Sequence, residues 1–113
     1  MYSQEHILNL LKELKAGIQL LFPEDEMEFI LFGSYARKEA SAGSDIDVMI
    51  LVDASREEIA QKNWKIGELA ANILLEYGSV ISPIVENRDF FRKHLVVLPF
   101  FQTVEQEGVR IHA

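Results

Sequence analysis

The sequence predicts an α/β (α+β) domain with a three- or four-stranded sheet, and three observations carry that expectation. Apolar residues recur with helical spacing over 7–21 and again over 59–77. Two short apolar runs lie between those stripes, and a third follows the second stripe. The order helix–strand–loop–strand–helix–strand–helix–helix belongs to one layered unit, with no repeat, linker or low-complexity tract. A chain of 113 residues is large enough for one core and too small for two, so 1–113 reads as a single domain.

Taken in order, Ile7, Leu10, Leu11, Leu14, Ile18 and Leu21 line one face of the first helix. Ser3 offers its N-cap oxygen, and Pro23 lies just past its end. The acidic turn Glu24-Asp25-Glu26 leads into Phe29-Ile30-Leu31-Phe32, short and apolar enough for a buried strand. After the connection from Gly33 to Ser44 comes 46–52, the clearest strand of the chain. Ser55 and Glu58 form a capping box that opens a long helix. That helix is expected to turn Ile59, Ile66, Leu69, Ala70, Ile73, Leu74 and Tyr77 inward and to close at Gly78. A third strand over 80–85 contains Pro83, which cannot donate to a ladder and so marks an edge or a bulge. Short helices follow near 88–95 and 99–107, with Pro99 suited to a first turn and Gly108 to a C-terminal cap.

Composition narrows the function. Hydrophobic residues make up 49% and charged residues 26%, as in ordinary globular domains. No apolar run approaches the roughly 20 residues that span a bilayer. The start, Met1 to His6, lacks the basic and continuously apolar stretches of a secretory leader, so a cytoplasmic protein without a membrane partner is expected. The lack of cysteine excludes disulfides and thiolate metal sites. A net charge of -7 argues against sequence-independent binding to a nucleic-acid backbone. It leaves a nucleotide open, because one cation and two basic side chains can offset a triphosphate, and it suits a basic protein partner equally well.

The chemistry-bearing residues cluster between the first two strands. Gly33 lets the chain leave a strand sharply and lets a ligand approach the backbone. Ser34 is then expected near the N-terminus of a short helix, where free amides favour phosphate. Asp45 and Asp47 stand two apart at the start of the next strand and leave the same face. Their Cα atoms are about 6.6 Å apart, close enough for both carboxylates to hold one hard cation. Ile46, Val48, Ile50 and Val52 form the opposite, buried face. Either feature alone is common as a plain turn or a solvated acidic pair. Together they bring a phosphate cradle and a cation-binding pair to one end of two strands, which is what phosphoryl and nucleotidyl transfer require. Arg37 lies one turn beyond Ser34, within reach of distal phosphates, while Lys38 reads better as a surface charge.

The stretch from Gly33-Ser34, through Ala36-Arg37 and ten intervening residues, to Ser44-Asp45-Ile46-Asp47 resembles the signature of the DNA polymerase β-type nucleotidyltransferase superfamily. It is most similar to the minimal (MNT) members, densely over 29–53 and by element order over most of the chain. The resemblance implies a small mixed sheet with helices mainly on one face. It implies transfer of a nucleoside monophosphate from a triphosphate, ATP foremost, to a hydroxyl, with Mg²⁺. It carries Gly33, Ser34, Arg37 and Ser44 over as nucleotide-binding residues, and Asp45 and Asp47 as catalytic, metal-binding ones. It also implies an all-helical HEPN-type protein partner within a toxin–antitoxin pair. Active members supply a third carboxylate from a later strand. The matching position here is Ser82, and Glu86, on the same strand face, lies about 13 Å further along. An impaired antitoxin or a nucleotide-sensing subunit that acts by binding alone is therefore the alternative expectation.

The remaining candidates are bland. His6, His94 and His112 have no metal-ligand spacing and read as surface residues. Trp64 is expected partly buried rather than at a partner surface. Phe90, Phe91, Phe100 and Phe101 read as core filling. The sequence leaves homo-oligomerisation open.

Overall fold

Ser3 caps the first helix as expected, its hydroxyl accepting from the backbone of His6 at 3.1 Å. In the computed structural model, which describes residues 2–112, helix α1 spans Gln4–Leu21 and strand β1 spans Glu28–Phe32. Strand β2 spans Ile46–Val52, helix α2 Arg56–Tyr77 and strand β3 Ile81–Asn87. The short helices α3 and α4 span Arg88–His94 and Pro99–Glu107, and strand β4 spans Val109–Ile111. Half of the capping box forms, with the Ser55 hydroxyl accepting from the Glu58 amide while the Glu58 carboxylate takes Lys62 at 3.1 Å, and Gly78 closes α2 in the left-handed conformation at φ 69°.

The four strands form one mixed sheet in the order β3-β2-β1-β4. Strand β1 is antiparallel to β2 and β4, whereas β2 and β3 run parallel across the α2 crossover. Pro83 therefore sits on an edge strand, where its missing N–H is tolerated. The third strand starts one residue later and ends two later than its apolar pattern indicates. Its last residues, Glu86 and Asn87, are polar, and they pair with Leu51 and Val52 of β2.

Two cores flank the sheet. The larger lies beneath α1 and α2 and takes Phe29 and Leu31 of β1 with Ile46, Val48, Ile50 and Val52 of β2. The smaller lies on the opposite face, where Phe91 of α3 and Phe101 and Val104 of α4 cover Ile30, Phe32, Met49 and Leu51. Helices mainly on one face thus describes the two long ones, and two short ones cover the other face. This is why β1 and β2 are apolar on both faces rather than alternating.

Several expectations about burial need correction. Trp64 is 62% exposed, because it lies on the outer side of α2, off the stripe of Ile59, Ile66 and Ile73 that meets the core. Leu74 is also on the open side, and Phe22 rather than Leu21 is the fully buried residue at the end of α1. Of the four phenylalanines, Phe91 and Phe101 are buried, while Phe100 is 45% exposed and packs edge-on against Phe32. His6 and His94 are half-buried; His6 Nε2 shares a hydrogen bond with the buried Ser79 at 2.8 Å, and His94 Nδ1 bonds the Phe90 carbonyl. His112 is exposed.

Candidate active site

The site begins where β1 ends. Gly33 has φ 74°, a conformation that side chains resist, and it turns the chain out of the sheet. Its neighbour across the ladder explains the need for glycine a second time. Phe32 pairs with Asp47, and a methyl group on Gly33 would collide with the Asp47 carboxylate. The turn and the acid are thus in direct contact rather than merely at the same end of the sheet.

The loop does not continue into a regular helix, as the sequence reading expected. It makes one helical turn, closed by the Arg37 amide donating to the Gly33 carbonyl at 3.1 Å. The turn then stops because Lys38 adopts φ 59°. The Lys38 amide donates to the Tyr35 carbonyl and the Glu39 amide to the Ser34 carbonyl, the paired bonds of a Schellman stop. Glycine is the usual residue at that position, and a lysine there gives no sequence signal that the helix ends. With only one turn there is little helix dipole to hold a phosphate, so binding falls to the amides and side chains of the turn itself. The Ser34 hydroxyl bonds no other side chain or backbone group among the described residues. Ser44, by contrast, is engaged: its hydroxyl accepts from the Ser41 amide at 2.9 Å and orders the turn leading into Asp45.

Asp45 stands exposed just before β2, and Asp47 is half-buried within it. Burial, followed by repulsion from Asp45, holds the Asp47 carboxyl above the usual carboxylate range, while Arg37 pulls the other way. The opposing pull is divided, because the Arg37 guanidinium binds Glu107 at 3.1 Å and Glu39 at 3.5 Å. Two hard oxygen donors with an incompletely balanced negative charge fit a divalent cation. No group of three or more acidic or histidine side chains with metal-binding geometry occurs among the described residues. A divalent cation held by this pair would take its remaining ligands from phosphate and water.

Ser82 of β3 is the register partner of Asp47, so a hydroxyl stands beside the acid pair where a third carboxylate was sought. Glu86 cannot substitute for it. That residue is four positions along, only 8% exposed, and committed to Arg56 at 3.2 Å and to the Asn87 amide at 2.7 Å. Sequence reasoning missed the tie between Arg37 and Glu107, for which spacing gives no signal, since the two lie 70 residues apart.

A family model described as a nucleotidyltransferase domain matches residues 11–101. Among curated proteins of Methanocaldococcus jannaschii, the chain is 33% identical over 105 residues to MJ0141, named as a candidate protein adenylyltransferase. That match covers 93% of this chain and 98% of the relative. A second such relative, MJ0604, is 37% identical over 81 residues, covering 72% of this chain and 73% of its own. A third, MJ1305, is 32% identical over 94 residues, covering 82% of this chain and 64% of its own. With a matching family model over most of its length and the Gly33-Ser34 turn packed against Asp47, the chain belongs to the nucleotidyltransferase domain family, among its minimal members.

Proposed function

We propose that this protein binds a Mg²⁺-complexed nucleoside triphosphate, ATP foremost, and transfers its nucleoside monophosphate slowly to a hydroxyl of a protein. The contact between Gly33 and Asp47 supports this most directly, since it joins the glycine turn to the acid pair. Domains of this family generally use divalent metal ions. Asp45 and Asp47 would hold the cation, which when bound would neutralise the phosphates and polarise the phosphorus. The Ser34 hydroxyl and the amides of its turn would take phosphate oxygens. Arg37 would reach the distal phosphates, and Ser44 keeps the approach to Asp45 in shape. In the reaction the acceptor oxygen bonds to the α-phosphorus, the bond from that phosphorus to the β-phosphate oxygen breaks, and pyrophosphate leaves. The hydroxyl proton must go to solvent, because Ser82 is no base.

The names of the relatives favour a protein acceptor, and the net charge of -7 suits a basic one. We assign that acceptor to an all-helical HEPN-type toxin, with this chain as a cytoplasmic antitoxin acting as a single domain. The Ser82–Asp47 pairing favours a second reading, in which the partner or a nucleotide is bound with little transfer. Intact-mass analysis of the co-expressed partner after incubation with Mg²⁺ and each nucleotide separates the two. A nucleotidyl mass that is lost with Asp45→Asn supports transfer. Inhibition of the partner with no mass gain supports binding alone, and neither effect removes both readings.

A further inference from the structure

We infer that Glu107 sets the nucleotide affinity of the site by occupying Arg37 until phosphate displaces it. The inference rests on the proposed nucleotide site and concerns how that site is tuned. Arg37 is the basic side chain one turn beyond Ser34, and it acts electrostatically on Asp47. Its guanidinium is already paired. Glu107, the last residue of α4, accepts from one terminal nitrogen at 3.1 Å, and Glu39 from Nε at 3.5 Å. A carboxylate on a guanidinium has the charge and planar hydrogen-bonding edge that a phosphate oxygen pair presents. The two ligands therefore compete for the guanidinium charge and for the terminal nitrogen that Glu107 holds.

The position of Glu107 makes this more than a stray surface pair. Helix α4 is fastened to the site at both ends. Phe100 in its first turn packs edge-on against Phe32, the residue before Gly33, with ring centroids 5.6 Å apart. At its far end Gly108 turns the chain into β4, which pairs with β1. Glu107 is thus delivered to Arg37 by a braced element, whereas Glu39 belongs to the same loop as Arg37 and bonds it less closely. Both Arg37 and Glu107 remain about two-fifths exposed, with side chains at 40% and 38%, so solvent weakens the pair enough for exchange. A ligand reaching only the Ser34 turn would leave the pair intact. A triphosphate long enough to reach Arg37 competes with Glu107 for that terminal nitrogen and for its charge, which makes Glu107 a specificity-determining residue for phosphate number.

Calorimetric titration with Mg²⁺–ATP, inorganic tripolyphosphate and AMP tests this. Glu107→Gln keeps the shape of the side chain and removes its charge. It should tighten ATP and tripolyphosphate by roughly two- to five-fold, the range of an exposed ion pair released, and leave AMP unchanged. In an Arg37→Ala background the same change should have no effect. Thermal unfolding of Glu107→Gln verifies that the fold is retained. Equal tightening with and without Arg37 overturns the exchange, since Glu107 would then act only by general repulsion. If the wild type binds ATP in an Asp47-dependent manner and Glu107→Gln binds identically, the exchange falls while the nucleotide site stands. If neither protein binds any of the three ligands, both fall together.

Discussion

Replacing Gly33 with alanine separates a glycine needed by the backbone from one needed by the site. At φ 74° an alanine carries a left-handed penalty of roughly 1–2 kcal/mol. Gly78 supplies the control, because it has φ 69° and nothing within 4 Å of an added methyl. Gly78→Ala should therefore lose roughly 1–2 kcal/mol in urea unfolding and nothing in nucleotide binding. Gly33→Ala pays the same backbone cost, but its methyl group also meets the Asp47 carboxylate. A carboxylate is the free end of a side chain and can swing aside, so the extra cost falls on the site rather than on the fold. Moving one charged ligand out of place should weaken Mg²⁺–ATP binding by about 10- to 100-fold, the scale of a lost hydrogen bond to a charged group. The two variants should thus match in stability and differ in calorimetric affinity. Wild-type affinity in Gly33→Ala would refute the reasoning, because the close approach to Asp47 would then be incidental.

Other perturbations bear on the same site. An acid whose carboxyl is held above its unfolded value loses stability as pH rises, since the unfolded chain ionises first. Asp47→Asn should accordingly raise the Tm at pH 7 more than at pH 3, and saturating Mg²⁺–ATP, bound only by the wild type, should reverse that gain in a thermal-shift assay. Lys38→Gly removes a left-handed side chain and should stabilise the fold by about 0.5–1 kcal/mol in urea unfolding. Ser82→Asp places a carboxylate beside Asp47 and should raise nucleotidyl transfer by on the order of 10²–10⁴, read by the mass of the modified partner. Trp64→Ala removes an exposed ring and should change stability by no more than about 0.5 kcal/mol.

Legibility followed the kind of signal. Strand β2 and helix α4 were read to the residue, because an apolar run bounded by Ser44-Asp45 and Asp53 has sharp edges, and Pro99 and Gly108 punctuate α4. The acid pair and the Gly33-Ser34 turn were legible because a strand period and a glycine translate directly into geometry. What stayed hidden depends on tertiary context. Lys38 ends the helical turn in a conformation that lysine does not advertise. Trp64 lies outward because the core-facing stripe of α2 is narrow, which the mixed helix sequence does not reveal. Strand β4 has three residues, and only its pairing with β1 defines it. The contact of Glu107 with Arg37 joins residues 70 apart in the chain.

The second core also explains the character of the acid pair. Asp47, Met49 and Leu51 share one face of β2, and their register partners on β3 are Ser82, Ile84 and Glu86. Cover from α3 and α4 is complete over Leu51 and Met49, which are 1% and 0% exposed. Along β3 the cover is uneven, with Glu86 buried and Ile84 39% exposed, and at the level of Asp47 and Ser82 both residues are half-buried. The sheet therefore delivers Asp47 at the rim of an apolar layer. It is deep enough for burial to oppose its ionisation and open enough for a ligand to reach it. Asp45, one step before the strand, is exposed. One carboxylate is thus partly desolvated and the other open to water. That inequality lets a pair of acids accept a cation together with the phosphates that bring it, without a closed protein cage.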